Sequence, residues 1–136
     1  MDAMAVHVRK ADIHPDLVLC SSATRARQTL ERVLPSLPES TPVEVEDALY
    51  TFDDAEVLRR VREAPDTVSS LLVVGHNPAM QELVLRLATR GDELDRVRSK
   101  FPTGALATLL IPKATWRGLR PGGAELASLV APKDLP

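Results

Sequence analysis

Short apolar runs alternate along the chain with segments of helical periodicity, and this alternation narrows the possible folds more than any other feature. The apolar runs lie at 17–20, 43–45, 71–74, 105–111 and 124–130. Between two of them, the apolar residues recur at the three-, four- and seven-residue spacings of one helix face: Met80, Leu83, Val84 and Leu87. The pattern predicts an α/β domain with a mostly parallel sheet. A length of 136 residues is enough for one domain, residues 1–136, with its own core.

Polar residues and prolines predict where several helices begin. A first helix is expected over residues 2–12. Ser21 or Ser22 is expected to cap the second helix, and Asn77 the fourth, with Pro78 at the first helical position. Each of these two helices would follow a short buried strand directly.

The third helix has a fuller start signal. Asp53 is the expected cap, Glu56 would complete a capping box, and Phe52 would pack onto Val57. This helix is expected to run to about residue 63. The charged stretch at 90–100 is expected to form a loop with at most one helical turn.

Composition excludes several classes of function. The formal net charge of -2 gives no reason to expect nucleic acid or an acidic membrane as a partner. No window approaches the roughly 18 apolar residues of a membrane span, and no signal-peptide run is present, so a cytoplasmic location is expected. Cys20 is the single cysteine, which excludes an internal disulfide and a cysteine-based zinc site. No metal or organic cofactor is predicted.

The residues that could bind a ligand or take part in catalysis lie at two strand-to-helix transitions. The first offers Ser21 and Arg25, and the second offers His76 and the backbone of Asn77. Ligands of open parallel sheets bind beyond the carboxyl ends of the strands, where helix N-termini favour phosphate. A guanidinium can hold phosphate oxygens in a bidentate manner, and a histidine can donate to them or move a proton near neutral pH. These four residues therefore form the predicted phosphate site.

Both charged candidates also have a purely structural explanation. Arg25 could be a surface arginine paired with Glu31, although the helix dipole disfavours a cation in a first turn. His76 could be a loop histidine that is satisfied by backbone carbonyls. His7 and His14 lack partners at ligand spacing and are expected to be solvated.

The motifs, taken in order, resemble the histidine phosphatase superfamily, and within it the small phosphohistidine phosphatases of the SixA type. Residues 21–29, Ser-Ser-Ala-Thr-Arg-Ala-Arg-Gln-Thr, are similar to that family's S-x-x-x-R-x-x-Q-T segment. Val73-Val74-Gly75-His76-Asn77-Pro78 resembles its second-histidine motif, and residues 100–106 and 132–135 resemble its C-terminal portion. The resemblance implies a three-layer α/β/α sandwich and phosphoryl transfer through a phosphohistidine intermediate. It also implies that Arg25 and His76 are catalytic and hold the phosphoryl group, with Ser21 beside them, and that no cofactor is needed.

The family also has an N-terminal strand that ends in Arg-His-Gly or Arg-His-Ala and supplies the nucleophile, and this sequence contains no such motif. His7 lies within a predicted helix and cannot replace that histidine. The sequence is therefore expected to represent an N-terminally truncated domain that is inactive as written. Three interpretations stay open: the natural protein begins further upstream and is a phosphatase, the chain is a non-catalytic phosphate-binding or protein-interaction module, or an unrelated α/β domain shares the motifs by chance. The implied substrates are a phosphorylated protein or a small phosphomonoester.

Overall fold

The computed structural model describes residues 3–112 and 115–136. Three parallel strands form a sheet in the order β2-β1-β3: β1 Leu17–Ser21, β2 Val43–Glu46 and β3 Leu71–Val74. The central strand β1 is buried along its whole length. Its register sets Cys20 opposite Val45 on one side and Val74 on the other. Ser21 therefore lies at the carboxyl edge of the sheet, next to the loop that follows β3.

Side chains of β1 alternate between two cores, as an apolar strand covered on both faces requires. Leu17 and Leu19 contact the core under α3 (Asp54–Arg62) and α4 (Ala79–Leu87). Val18 and Cys20 contact the core under α1 (Ala3–Lys10) and α2 (Thr24–Val33). Helices thus cover both faces of the sheet, which confirms the predicted α/β/α layering.

The remaining strands form a second three-stranded sheet, in the order β4-β6-β5. Strand β4 (Ala88–Arg90) runs parallel to β6 (Ala124–Val130), whereas β5 (Leu106–Leu110) runs antiparallel to it. Leu72 of β3 and Leu106 of β5 contact the same core, and so do Val73 and Leu109 on the opposite side. The two sheets are therefore neighbours that share both cores. The predicted mostly parallel sheet is thus divided in two within the described residues, where β3 pairs with β1 alone.

The stretch at 90–100 differs from its predicted loop. It contains the end of β4 and a helix, α5 (Leu94–Ser99), whose Leu94 and Val97 are buried against β6. Six residues give only two apolar positions, too few to establish a helical period in a highly charged segment.

Helix starts differ from the predictions by one to three residues. Helix α2 begins at Thr24 with Ala23 as its cap residue, and no side chain caps it. Helix α4 begins at Ala79 with Pro78 at the cap position, so the predicted start was one residue early. Helix α1 ends at Lys10, before Asp12, whose φ of 58° is incompatible with a continuing helix. Asp2, the predicted start of α1, lies outside the described residues.

The start of α3 is half confirmed. Asp53 caps it, because its Oδ1 accepts a hydrogen bond of 3.0 Å from the Ala55 N–H. The predicted return bond from Glu56 is not formed within the described residues, and that carboxylate lies 3.9 Å from Nη1 of Arg59. The prediction that Phe52 packs onto Val57 was wrong, since Phe52 is 68% exposed.

No described helix is both long and apolar enough to cross a membrane.

Candidate functional site

Ser21 and His76 meet at the carboxyl edge of the parallel sheet. Because β1 and β3 are paired, the residues that follow them emerge side by side. The Oγ of Ser21 lies 3.2 Å from Nε2 of His76, and it also accepts a hydrogen bond of 3.2 Å from the Ala23 N–H. Ser21 is fully buried, so this hydroxyl holds one edge of the imidazole at a fixed place. The sequence prediction that His76 and Ser21 lie together is thus matched by the geometry.

Two aromatic rings lie beside the His76 ring. The ring centroid of Tyr50 lies 5.4 Å from that of His76, and the ring centroid of Phe52 lies 6.2 Å away. Both aromatic side chains are largely exposed, Tyr50 at 61% and Phe52 at 68%. Sequence reasoning did not assign either residue to the site, since Phe52 was read only as part of the α3 start signal and Tyr50 belongs to no motif. The scarcity of aromatic residues in the chain was the one available signal.

Arg25 lies in the first turn of α2, four residues after Ser21, the last residue of β1. Its side chain is exposed, and that first turn contains no acidic residue. Within the described ranges its guanidinium forms no ion pair, so the alternative of pairing with Glu31 does not describe this structure. An unpaired cation at the positive end of a helix dipole is favourable only when an anion is near. That the guanidinium and the His76 ring contact one oxyanion stays a prediction.

The side chain of Asn77 has a structural task. Its Nδ2 donates a hydrogen bond of 2.8 Å to the carbonyl oxygen of Phe101, and its Oδ1 accepts one of 3.3 Å from the Gln81 N–H. The His76 carbonyl accepts a hydrogen bond from the Met80 N–H. The loop after β3 is therefore fastened to α4 and to the segment before β5, and this fixes the backbone that carries His76.

The acidic residues of the neighbouring segments are engaged in structural contacts. Glu44 and Glu46 bind Arg60, and the hydrogen bonding of the Arg60 guanidinium to the Glu46 carboxylate is the main reason that the pKa of Arg60 is raised above its ordinary value. Asp54 is buried and binds Arg86 of α4. None of these carboxylates stands out as a proton donor at His76.

Cys20 adjoins the site in sequence but is not part of its surface. It is fully buried, and this burial raises the pKa of its thiol, an effect that the charge of Arg27 partly opposes. Among residues 3–112 and 115–136, no group of three or more His, Cys, Asp and Glu residues is arranged to hold a metal ion.

Comparison with known proteins identifies relatives of this chain. The chain is 35% identical over 122 residues to the protein Rv1276c of Mycobacterium tuberculosis strain H37Rv, covering 87% of this chain and 74% of that protein. It is 33% identical over 119 residues to the protein ML1117 of Mycobacterium leprae strain TN, covering 85% and 71% of the two chains. No family model matches the chain.

Solved structures extend the comparison to the fold. The SixA protein of Nakamurella multipartitia superposes with a TM-score of 0.79 at 30% identity, covering 96% of this chain and 78% of that one. A protein histidine phosphatase SixA in complex with tungstate gives a TM-score of 0.74 at 26% identity, with the same two coverages. The fold, the identity and the coverage together show that this chain belongs to the SixA-type phosphohistidine phosphatases of the histidine phosphatase superfamily.

Proposed function

We propose that Arg25, His76, Ser21 and Asn77 form the phosphoryl-binding side of a phosphohistidine or phosphomonoester phosphatase site. The observation that carries this proposal is the contact between Ser21 and His76 at the sheet edge, four residues along the chain from Arg25 in the first turn of α2. The tungstate complex of a SixA structure adds support, since tungstate is a tetrahedral oxyanion like phosphate.

Each residue has a distinct part in this site. Arg25 supplies a planar fork that matches two oxygens of a phosphoryl group. His76 donates to a third oxygen from a ring that Ser21 holds in place. The Asn77 side chain is occupied by Phe101 and Gln81, so its contribution is to position the His76 loop. Fixed donors of this kind stabilise the charge that spreads over the equatorial oxygens during phosphoryl transfer.

The substrates we propose are a phosphorylated protein or a small phosphomonoester in the cytoplasm. Family resemblance implies a histidine nucleophile, carried by an Arg-His-Gly or Arg-His-Ala segment that this sequence does not contain. His7 lies in α1 and His14 is 55% exposed beside Asp12, and neither adjoins the sheet edge. We therefore expect the 136-residue polypeptide alone to bind oxyanions but to turn over little substrate.

Oxyanion binding tests the proposal. Phosphate, vanadate and tungstate should bind the chain with a Kd of about 1 mM, which corresponds to roughly 4 kcal/mol. Arg25→Ala should weaken binding about tenfold or more, because a charge-assisted bidentate contact is lost. Arg32→Ala is the matched control, since it removes the same side chain from the last turn of the same helix. Equal affinities for the parent chain and Arg25→Ala would contradict the proposed site.

Activity distinguishes the catalytic reading from a second candidate, a non-catalytic phosphate-binding or protein-interaction module. A chain extended by an N-terminal strand ending in Arg-His-Gly should hydrolyse a chromogenic phosphomonoester and a phosphohistidine peptide, and should bind phosphate more tightly. An extended chain that binds phosphate but hydrolyses neither substrate would favour the binding module.

A further inference from the structure

Two of the chain's four aromatic residues are exposed and lie beside His76. We call this pair, Tyr50 and Phe52, the aromatic wall. The other two aromatic side chains pack against the cores: Trp116 also donates a hydrogen bond of 2.7 Å to the Val68 carbonyl, and Phe101 contacts the core beside β6. Large exposed rings that contact a candidate site, in a chain this poor in aromatic residues, call for an explanation other than packing.

The segment that carries the aromatic wall is anchored on both sides. On its N-terminal side, Leu49 is only 1% exposed, and the Tyr50 N–H donates to the Asp47 carbonyl at 3.0 Å. On its C-terminal side, the Asp53 N–H donates to Oγ1 of Thr51 at 3.0 Å, and the buried Asp54 is held by Arg86. The two rings are therefore presented by a fixed segment rather than by a loose loop.

The position of the wall relates it to the ligand. His76 is held by Ser21 at Nε2, while its ring lies within aromatic contact distance of both Tyr50 and Phe52. A phosphoryl group that contacts His76 must project its carrier away from the buried Ser21. Tyr50 and Phe52 are both largely exposed and lie beside the same imidazole, so they offer that carrier an apolar, π-rich surface.

We infer that the aromatic wall is a specificity element that selects phosphoryl groups borne on a planar aromatic ring, as in a phosphorylated imidazole or an aryl phosphate. The inference rests on the proposed phosphoryl site at Arg25 and His76. A planar carrier stacks on Tyr50 or Phe52, whereas a small aliphatic carrier gains little contact there. Aromatic stacking of this kind corresponds to a preference of about 3- to 10-fold for each ring.

Binding of stable phosphonates by the 136-residue chain tests the inference. The probes are phenylphosphonate, a phosphonopyrazole that mimics phosphorylated imidazole, and methylphosphonate, with inorganic phosphate as the reference. Affinities are measured by calorimetry and by the shift of the His76 ring signals in NMR spectra. We expect both aromatic probes to bind about tenfold more tightly than methylphosphonate.

Substitutions of Tyr50 and Phe52 test whether the aromatic wall causes the preference for aromatic phosphonates. Tyr50→Ala and Phe52→Ala should each reduce the ratio of aromatic to methyl affinity about threefold, and the double variant should bring it close to one, while phosphate affinity stays unchanged. Tyr50→Leu and Phe52→Leu retain an apolar side chain but remove a ring. Each should therefore lose most of the roughly threefold preference for aromatic probes that its ring supplies. Leu34→Ala is the control, because Leu34 is an exposed apolar residue at the opposite end of α2 from Arg25.

The outcomes separate the inference from the proposed function. An unchanged ratio in the double wall variant, with phosphate binding still dependent on Arg25, would overturn the inference and leave the phosphoryl site standing. If Arg25→Ala and His76→Ala leave the binding of all four probes unchanged, the inference and the proposed phosphoryl site are both overturned. Tighter binding of the pyrazole than of the phenyl probe supports a phosphorylated imidazole as the carrier, and the reverse order supports an aryl phosphate.

Discussion

Ser21 is the residue on which the candidate site most depends. It is fully buried, yet its hydroxyl contacts His76 on one side and the first amide before α2 on the other. Sequence reasoning could place Ser21 and His76 at strand ends and Arg25 at a helix start, since a short apolar run followed by a polar helix start is a local pattern. Tyr50 and Phe52 could not be placed in this way, because their contact with His76 depends on how the segment after β2 folds back over the sheet edge.

Replacing Ser21 by alanine should destabilise the protein by about 1–3 kcal/mol, the cost of leaving a buried donor at Ala23 without an acceptor. It should also weaken phosphate binding, because the His76 ring loses the contact that holds it. Urea denaturation and phosphate titration measure the two effects. Ser22→Ala, at the neighbouring and less buried position, should change both by much less. A Ser21→Ala variant as stable as the parent would show that water replaces the hydroxyl at little cost.

At the scale of elements, strands were easier to predict than short helices. Strand β6 was predicted at its observed bounds, Ala124–Val130, because seven residues with an apolar face carry a clear pattern. Helix α3 was predicted within one residue, since Asp53 marks its start chemically. Helix α5 and strand β4 were missed, because their stability comes from burial of Leu94 and Val97 against β6, a partner far along the chain.

The Asp53 side chain caps α3, and its removal should destabilise this helix. Asp53→Ala should lower the free energy of unfolding by about 1 kcal/mol, because the Ala55 N–H loses its acceptor and the helix dipole loses a favourable charge. The measurement is a chemical denaturation curve with unchanged slope. Asp66→Ala, an exposed aspartate outside the helices, is the matched control and should be nearly neutral. A loss no greater than that of the control would mean that tertiary packing alone sets the start of α3.

For the whole molecule, the α/β class followed from the alternation of apolar runs and helical periodicity, and the three-layer α/β/α arrangement followed from the family resemblance. The division into two sheets followed from neither. Which strands form hydrogen bonds with each other is decided by shared cores and long-range register. The four residues of β3 are only half-buried, although they read as a core strand in the sequence. The local apolar run therefore predicted that β3 is a strand, but not how far its side chains are buried.

The C-terminal segment is tied to the body by Asp134, and this tie should depend on pH. Its carboxylate accepts a hydrogen bond of 2.9 Å from the Ala131 N–H and lies 2.8 Å from Nη2 of Arg96 in α5. The backbone hydrogen bond first, and Arg96 second, lower the pKa of Asp134 below its ordinary value of 3.8. A lowered folded-state pKa gives stability that is complete above the unfolded value and is lost as the pH falls through the folded value.

Asp134→Asn should therefore lower the Tm at neutral pH, and the difference from the parent should shrink as the pH falls below about 4 and vanish at stronger acidity. Thermal unfolding at a series of pH values measures this difference. Asp95→Asn removes an exposed carboxylate paired with Arg98 on α5 and should have little effect at any pH. A Tm difference that is constant from pH 7 to strong acid would assign the effect of Asp134→Asn to packing instead of charge.

The contact between Ser21 and His76 has a consequence for the thermodynamics of the chain. The candidate site draws on residues 21–25 and 76–77, and these stretches meet only when β1 and β3 are paired. An oxyanion that binds there binds the folded state alone, so its concentration enters the folding equilibrium by mass action. At ten times its Kd, such an ion adds about 1.4 kcal/mol to the free energy of unfolding. Phosphate and chloride solutions of equal ionic strength are then different environments for this protein, and the melting temperature measured in each reports the occupancy of the site.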